Sequence, residues 1–169
     1  MKKLLFAAVA VIAFGSVNAQ ETKFGVKAGL DFASSKIKVG GLSANGSETG
    51  FFIGGFADIG VSEKLHVQPE LLYVSVKDAD QINVPILLKY SISEEINILA
   101  GPSLGFLMDT GEGVKSFNYG ATLGGSYDID ENFVVDLRYD IGLANLLEGG
   151  DSDNSFKLSG IFLGVGYRF

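Results

Sequence analysis

Apolar and polar residues alternate with a period of two along most of this chain. In Ser116 to Ile129, Phe117, Tyr119, Ala121, Leu123, Tyr127 and Ile129 oppose Asn118, Gly120, Thr122, Gly124, Ser126 and Asp128. Phe133 to Leu143 sets Phe133, Val135, Leu137, Tyr139, Ile141 and Leu143 against Asp136, Arg138, Asp140 and Gly142. At the C-terminal end, Ile161, Leu163, Val165, Tyr167 and Phe169 alternate with Phe162, Gly164, Gly166 and Arg168. Successive strand side chains point to opposite faces, and no helix face has this period. The same reading predicts strands at Lys23–Phe32, Gly50–Ile59, Lys64–Val76, Ile82–Tyr90, Ile96–Leu107 and Ser155–Phe169. That makes eight strands and no helix after residue 19.

The connections carry a second pattern. Those after strands two, four and six are short and contain Ser62-Glu63, Ser93-Glu94 and Asp130-Glu131. Val61-Ser62-Glu63-Lys64-Leu65 and Ile92-Ser93-Glu94-Glu95-Ile96 look like one hairpin turn used twice. The connections after strands one, three, five and seven are mostly longer, with Ala33–Thr49 expected as a long flexible loop rich in Ser, Gly and Asn. Short turns at one end and long loops at the other are the asymmetry of transmembrane barrels. An even strand number then places both termini at the short-turn end, in the periplasm.

The first residues change the picture of where the chain goes. Lys2 and Lys3, the apolar run Leu4–Gly15 and the small-residue sequence Val17-Asn18-Ala19 read as a cleaved signal peptide, residues 1–19. The run is shorter than the ~20 residues a spanning helix needs. Residues 20–169 remain as one domain. The net charge is −7 and becomes more negative by two without Lys2 and Lys3, which argues against a nucleic-acid partner. There is no cysteine, hence neither disulfide nor thiolate chemistry.

Alternation alone fits either a membrane barrel or a soluble, lipocalin-like periplasmic carrier with its apolar face around a ligand. Glycine placement separates them. Gly25, Gly29, Gly120, Gly124, Gly142, Gly160, Gly164 and Gly166 all share the polar face. An eight-stranded barrel has an interior only just wide enough for side chains, so small residues there make room for long charged ones. Tyr73, Tyr90, Tyr127, Tyr139, Tyr167 and Phe169 fall toward strand ends on the apolar face, where interfacial girdles belong. The expected fold is an all-β, eight-stranded antiparallel up-and-down transmembrane β-barrel in contact with outer-membrane lipid. Its inward residues would include Lys27, Asp58, Glu70, Lys89, Asp136, Arg138, Asp140 and Arg168. Mixed signs in a narrow lumen imply a salt-bridge and hydrogen-bond network rather than an open pore or an ion path.

Candidate chemistry is thin. His66 is the only histidine, and Glu70 lies four residues on along the same face, ~13 Å away at the strand rise, too far to orient the imidazole. An outer-membrane barrel enzyme acting on lipid ranks third, behind an interaction barrel and a soluble carrier. Imidazole or thiolate metal clusters are excluded by counting. The loop Glu148–Asn154 has oxygen ligands of the kind calcium takes, but it reads as a solvated polar loop. Gly120–Gly125 lacks the lysine of a phosphate loop and lies in a strand. No cofactor is implied.

The terminal strand, ending Tyr167-Arg168-Phe169, resembles the C-terminal signal by which outer-membrane barrels are recognised by their assembly machinery. Gln68-Pro69-Glu70-Leu71-Leu72-Tyr73, Val84-Pro85-Ile86-Leu87-Leu88-Lys89-Tyr90 and Ala100-Gly101-Pro102-Ser103-Leu104-Gly105-Phe106 resemble segments of the PorT-like outer-membrane β-barrel family of Bacteroidetes-type bacteria. With the terminal strand, the resemblance spans essentially residues 20–169. It implies an outer-membrane barrel with no shared catalytic or ligand-binding residues, some members being linked to protein secretion. A surface or periplasmic protein partner would fit that role. Pro69, Pro85 and Pro102 all fall inside predicted strands, where a closed barrel has no edge to tolerate a missing donor, so bulges are expected there.

Overall fold

The computed structural model describes residues 20–77, 79–108 and 110–169; the expected signal peptide lies outside them. Eight strands follow in order: β1 Gln20–Val39, β2 Leu42–Gly60, β3 Leu65–Val76, β4 Ala79–Ser91, β5 Ile96–Leu107, β6 Phe117–Asp128, β7 Phe133–Gly142 and β8 Ser155–Arg168. Each pairs antiparallel with its sequence neighbours, and β1 pairs with β8 from Gly25–Arg168 to Lys38–Ser155, which closes the barrel. Closure removes the sheet edges that an open eight-stranded sheet would leave.

The two faces separate as a lipid-soluble barrel requires. Phe24, Val26, Leu30, Leu71, Leu88, Leu123, Leu137, Leu163 and Val165 point outward and are 46–61% exposed. Lys27, Asp58, Glu70, Lys89, Asp136, Arg138 and Arg168 point inward and are at most 7% exposed. A soluble carrier of apolar ligands would have these faces exchanged.

The three short turns share one geometry. In each, the first two amides converge on a single carbonyl: Val61 and Ser62 on Leu65, Ile92 and Ser93 on Ile96, and Ile129 and Asp130 on Phe133. The Ser62, Ser93 and Asp130 side chains each accept the backbone N–H of that last residue, at 3.2, 3.1 and 2.7 Å. A short hydroxyl or carboxylate in the second position satisfies a donor that the turn strands away from the ladder.

At the opposite end the structure corrects the expected loop over residues 33–49. These residues extend β1 and β2 into a ribbon paired from Ala33–Glu48 to Val39–Leu42. Gly40 and Gly41 form its tip with φ of +57° and +84°, the two left-handed residues of a tight hairpin turn. The third connection is likewise short, so long loops at this end are confined to residues 108–116 and 143–154. Those two loops are stitched together: Lys115 N–H donates to Leu146 O, Glu148 N–H to Gly113 O, and Val114 bridges Leu147.

The expected bulges at the prolines do not form. Gln68–Leu87, Pro69–Ile86 and Leu72–Asn83 hold one register, as do Pro85–Ser103 and Leu88–Ala100 on the next ladder. The register places Pro69 against Ile86, beside Pro85, and Pro85 against Ser103, beside Pro102. Three missing donors therefore fall in one patch of ladder, which opens locally without an inserted residue.

Candidate functional site

The interior is built in layers from the strand faces. Nearest the short turns, Asp58 on β2 accepts from Lys89 Nζ on β4 at 2.8 Å and faces His66 Nδ1 on β3 at 2.6 Å. Arg168 on β8 completes this layer, with NH2 2.6 Å from Asp128 Oδ1 and NH1 3.6 Å from Asp58 Oδ2. Asn97 donates to Asp128 at 3.2 Å. The imidazole is thus held by Asp58 across a strand pair, not by Glu70 along its own strand.

The middle layer is a four-residue ring. Lys27 Nζ on β1 lies 2.9 Å from both Glu70 Oε1 and Asp136 Oδ2. Arg138 on β7 reaches Glu70 Oε2 through NH1 and Asp136 Oδ1 through Nε, each at 2.7 Å. Gln68 Nε2 adds a hydrogen bond to Glu70 at 2.7 Å. Two cations against two anions make the ring neutral, the condition under which buried charge is tolerable.

Above the ring the interior becomes apolar. Phe52 and Phe162 pack at 5.3 Å between centroids, with Leu72, Val74 and Val76 against them. The Arg138 guanidinium lies 5.9 Å from the Phe52 ring and 5.7 Å from the Phe162 ring, and Lys27 Nζ lies 5.3 Å from the Phe56 ring. The ring faces thus shield the charged layer while interacting with it. Inward glycines make this possible. A Cβ on Gly25 would run into the Phe56 ring, and one on Gly29 would meet the Phe52 ring at 2.7 Å. Sequence reading missed this aromatic layer; the signal available was Phe162 on the polar face between Gly160 and Gly164.

Asp140 stands apart from the seven other residues of the expected network. Its partners are neutral: Asn83 Nδ2 at 3.1 Å, Ser103 Oγ at 3.0 Å and Thr122 Oγ1 at 3.1 Å. It lines a cavity of about 340 Å³ at the loop end, together with Asp31, which sequence reading did not single out. Outside the spans, the Glu148–Asn154 loop uses its own acid. Asp151 Oδ1 accepts from the amides of Asp153 and Asn154, at 2.9 and 2.8 Å, which holds its carboxyl below the usual carboxylate range. Among the described residues no three His, Cys, Asp or Glu side chains converge as metal ligands do.

At the end of β8, Phe169 N–H donates to Phe24 O at 2.9 Å, and the Phe169 ring stands outside at 70% exposure, 5.8 Å from the Tyr167 ring. A closed barrel with a charged interior, an apolar belt and an exposed terminal aromatic agrees with a family model of the outer membrane protein β-barrel domain, which matches residues 5–169. The chain belongs to this family. It is a small outer-membrane β-barrel protein.

Two solved structures display the same barrel. A de novo designed transmembrane β-barrel superposes with a TM-score of 0.53 at 13% identity, over 89% of this chain and 99% of that one. Ail, the attachment invasion locus protein of Yersinia pestis, gives 0.52 at 19% identity, over 89% and 100%. At these identities the likeness concerns the fold. No curated protein matches the sequence.

Proposed function

We propose that this barrel is a plugged, non-catalytic anchor in the outer membrane whose role is structural or one of interaction, and that it is not a diffusion pore. The observation that carries this is the stack of two ion-paired layers capped by Phe52 and Phe162 across a narrow bore. An open channel keeps its centre wet, whereas here neighbouring side chains occupy it. In this reading residues 1–19 are removed on export, Tyr167 and Phe169 present the terminal strand to the assembly machinery, and both termini lie in the periplasm. The β1–β2 ribbon then faces outward. Leu42–Gly50 of β2 pairs with β1, while β2–β3 pairing begins only at Phe51–Ser75, so one edge of the ribbon is open to a protein partner. The PorT-like segments around Pro69, Pro85 and Pro102 extend the reading toward protein secretion or surface contact.

Planar-bilayer recording of the refolded barrel tests the plug, and surface labelling of a cysteine placed at Gly41 in whole cells tests the orientation. Quiet bilayers with labelling at Gly41, but not at an added C-terminal cysteine, are expected. Stable conductance steps from the unmodified barrel would overturn the plug, and labelling of only the C-terminal cysteine would invert the orientation.

A further inference from the structure

The loop-end cavity is a separate compartment. Phe162, stacked over Arg138, walls it off from the ion-paired ring, and Ser35, Ser47 and Lys77 ring its mouth. Its volume of about 340 Å³ falls within the range of small-molecule pockets, roughly 300–1,000 Å³, and is far more than a bare ion fills.

Its polar atoms are one-sided. Asp31 is 2% exposed, its Oδ1 accepts no hydrogen bond, and it belongs to no ion pair among the described residues. Gln81 Oε1 and Asn118 Oδ1, also in the lining, are likewise buried without a donor. Asp140 brings a second carboxylate to the same wall and exposed Glu48 a third, and among the described residues the sole base of the lining is Lys77, exposed at the rim. In the two deeper layers Lys27, Asp58, Glu70, Lys89, Asp128, Asp136, Arg138 and Arg168 each have a counter-charge within 4 Å, so the arrangement at Asp31 is not the habit of those layers. Buried acceptors without donors are costly, and an unpaired buried carboxylate most of all. Among serines and glycines, the wall also presents the apolar side chains of Val76, Leu107, Phe156, Leu158 and Phe162.

We infer that this cavity binds a small organic cation, an ammonium bearing an apolar group, with Asp31 and Asp140 flanking the charge and the apolar wall taking the remainder. The cation supplies the donors that Asp31, Gln81 and Asn118 lack. The apolar wall and the volume favour an organic cation over a hydrated metal ion, whose shell would leave that wall uncovered. The inference requires only the folded barrel and stands independently of the anchor reading.

The test is titration calorimetry of the whole refolded barrel with 2-phenylethylamine as the cation, 2-phenylethanol as its neutral counterpart, and calcium as the competing metal. Folding of each variant is checked by faster gel migration before boiling. The amine is expected to bind one to one, with the alcohol weaker by about tenfold or more, since a charged hydrogen bond is lost. Asp31→Asn is expected to weaken the amine by about the same factor, and Gln81→Leu, which alters no charge, by less. Asp153→Asn, outside the cavity, is expected to leave the affinity unchanged. Equal binding of amine and alcohol, unaltered affinity in folded D31N, absence of binding to the folded barrel, or displacement of the amine by calcium would each overturn the inference.

Discussion

Glu70 Oε2 and Arg138 NH1 lie 2.7 Å apart with side chains 0% and 2% exposed, one on β3 and the other on β7. They are 68 residues apart in sequence and not on neighbouring strands, so the pair spans the bore. With Lys27 and Asp136 it ties β1, β3 and β7 to one another through the interior.

Removing one member strands the others. Glu70→Ala takes an anion from between Lys27 and Arg138 and leaves net positive charge in a dry layer. A loss of about 3–5 kcal/mol is expected, the usual cost of leaving a buried charge uncompensated. The urea midpoint of the gel mobility shift, wild type against variant, measures it. An unchanged midpoint would mean that water enters the ring and solvates the cations.

The hairpin tip depends on two left-handed residues. Gly40→Val and Gly41→Val each force a β-branched side chain to positive φ, where L-residues lose roughly 1–2 kcal/mol. Nothing lies within 4 Å of a Cβ at either site, so backbone strain is the whole effect. Faster proteolysis within the ribbon is expected, with the barrel's own urea midpoint unmoved.

The turn at Asp130 is expected to respond to pH. Its carboxylate accepts from the amides of Phe133 and Asn132, at 2.7 and 2.8 Å, which holds its pKa below the ordinary carboxylate value. A depressed folded pKa means that the carboxylate's contribution is present above the unfolded value and is lost as pH falls through the folded one. Asp130→Ala is therefore expected to be less stable than wild type at neutral pH and equal to it in strong acid. Asp130→Ser, which copies Ser62 and Ser93, should keep the turn and abolish that pH dependence. Urea midpoints across pH for the three proteins decide the point.

A variant at Phe169 tests the proposed assembly signal apart from stability. Its ring is exposed and its backbone bond to Phe24 survives truncation of the side chain. Phe169→Ala is expected to lower the amount of folded barrel recovered from outer membranes several-fold. Spontaneous refolding from urea into detergent micelles should proceed as in wild type. Equal losses in both settings would place the role of Phe169 in the barrel itself.

The strands and their facing are legible in the chain alone, because a pleated strand turns alternate side chains to opposite sides whatever its partners are. The pattern predicts Ile96–Leu107 with the bounds the strand has, and period alone assigns Lys27, Glu70 and Arg168 to the polar face. It did not determine the ribbon over 33–49, although Gly40-Gly41 between Lys38-Val39 and Leu42-Ser43 was a usable turn signal: polar composition on both faces hides a strand that no core face marks. Nor could it pair charges across the bore, join His66 to Asp58, or set Asp31 and Asp140 in one cavity. Those contacts depend on closure of β1 onto β8 and on the stagger between strands, which bring together residues that local periodicity cannot relate.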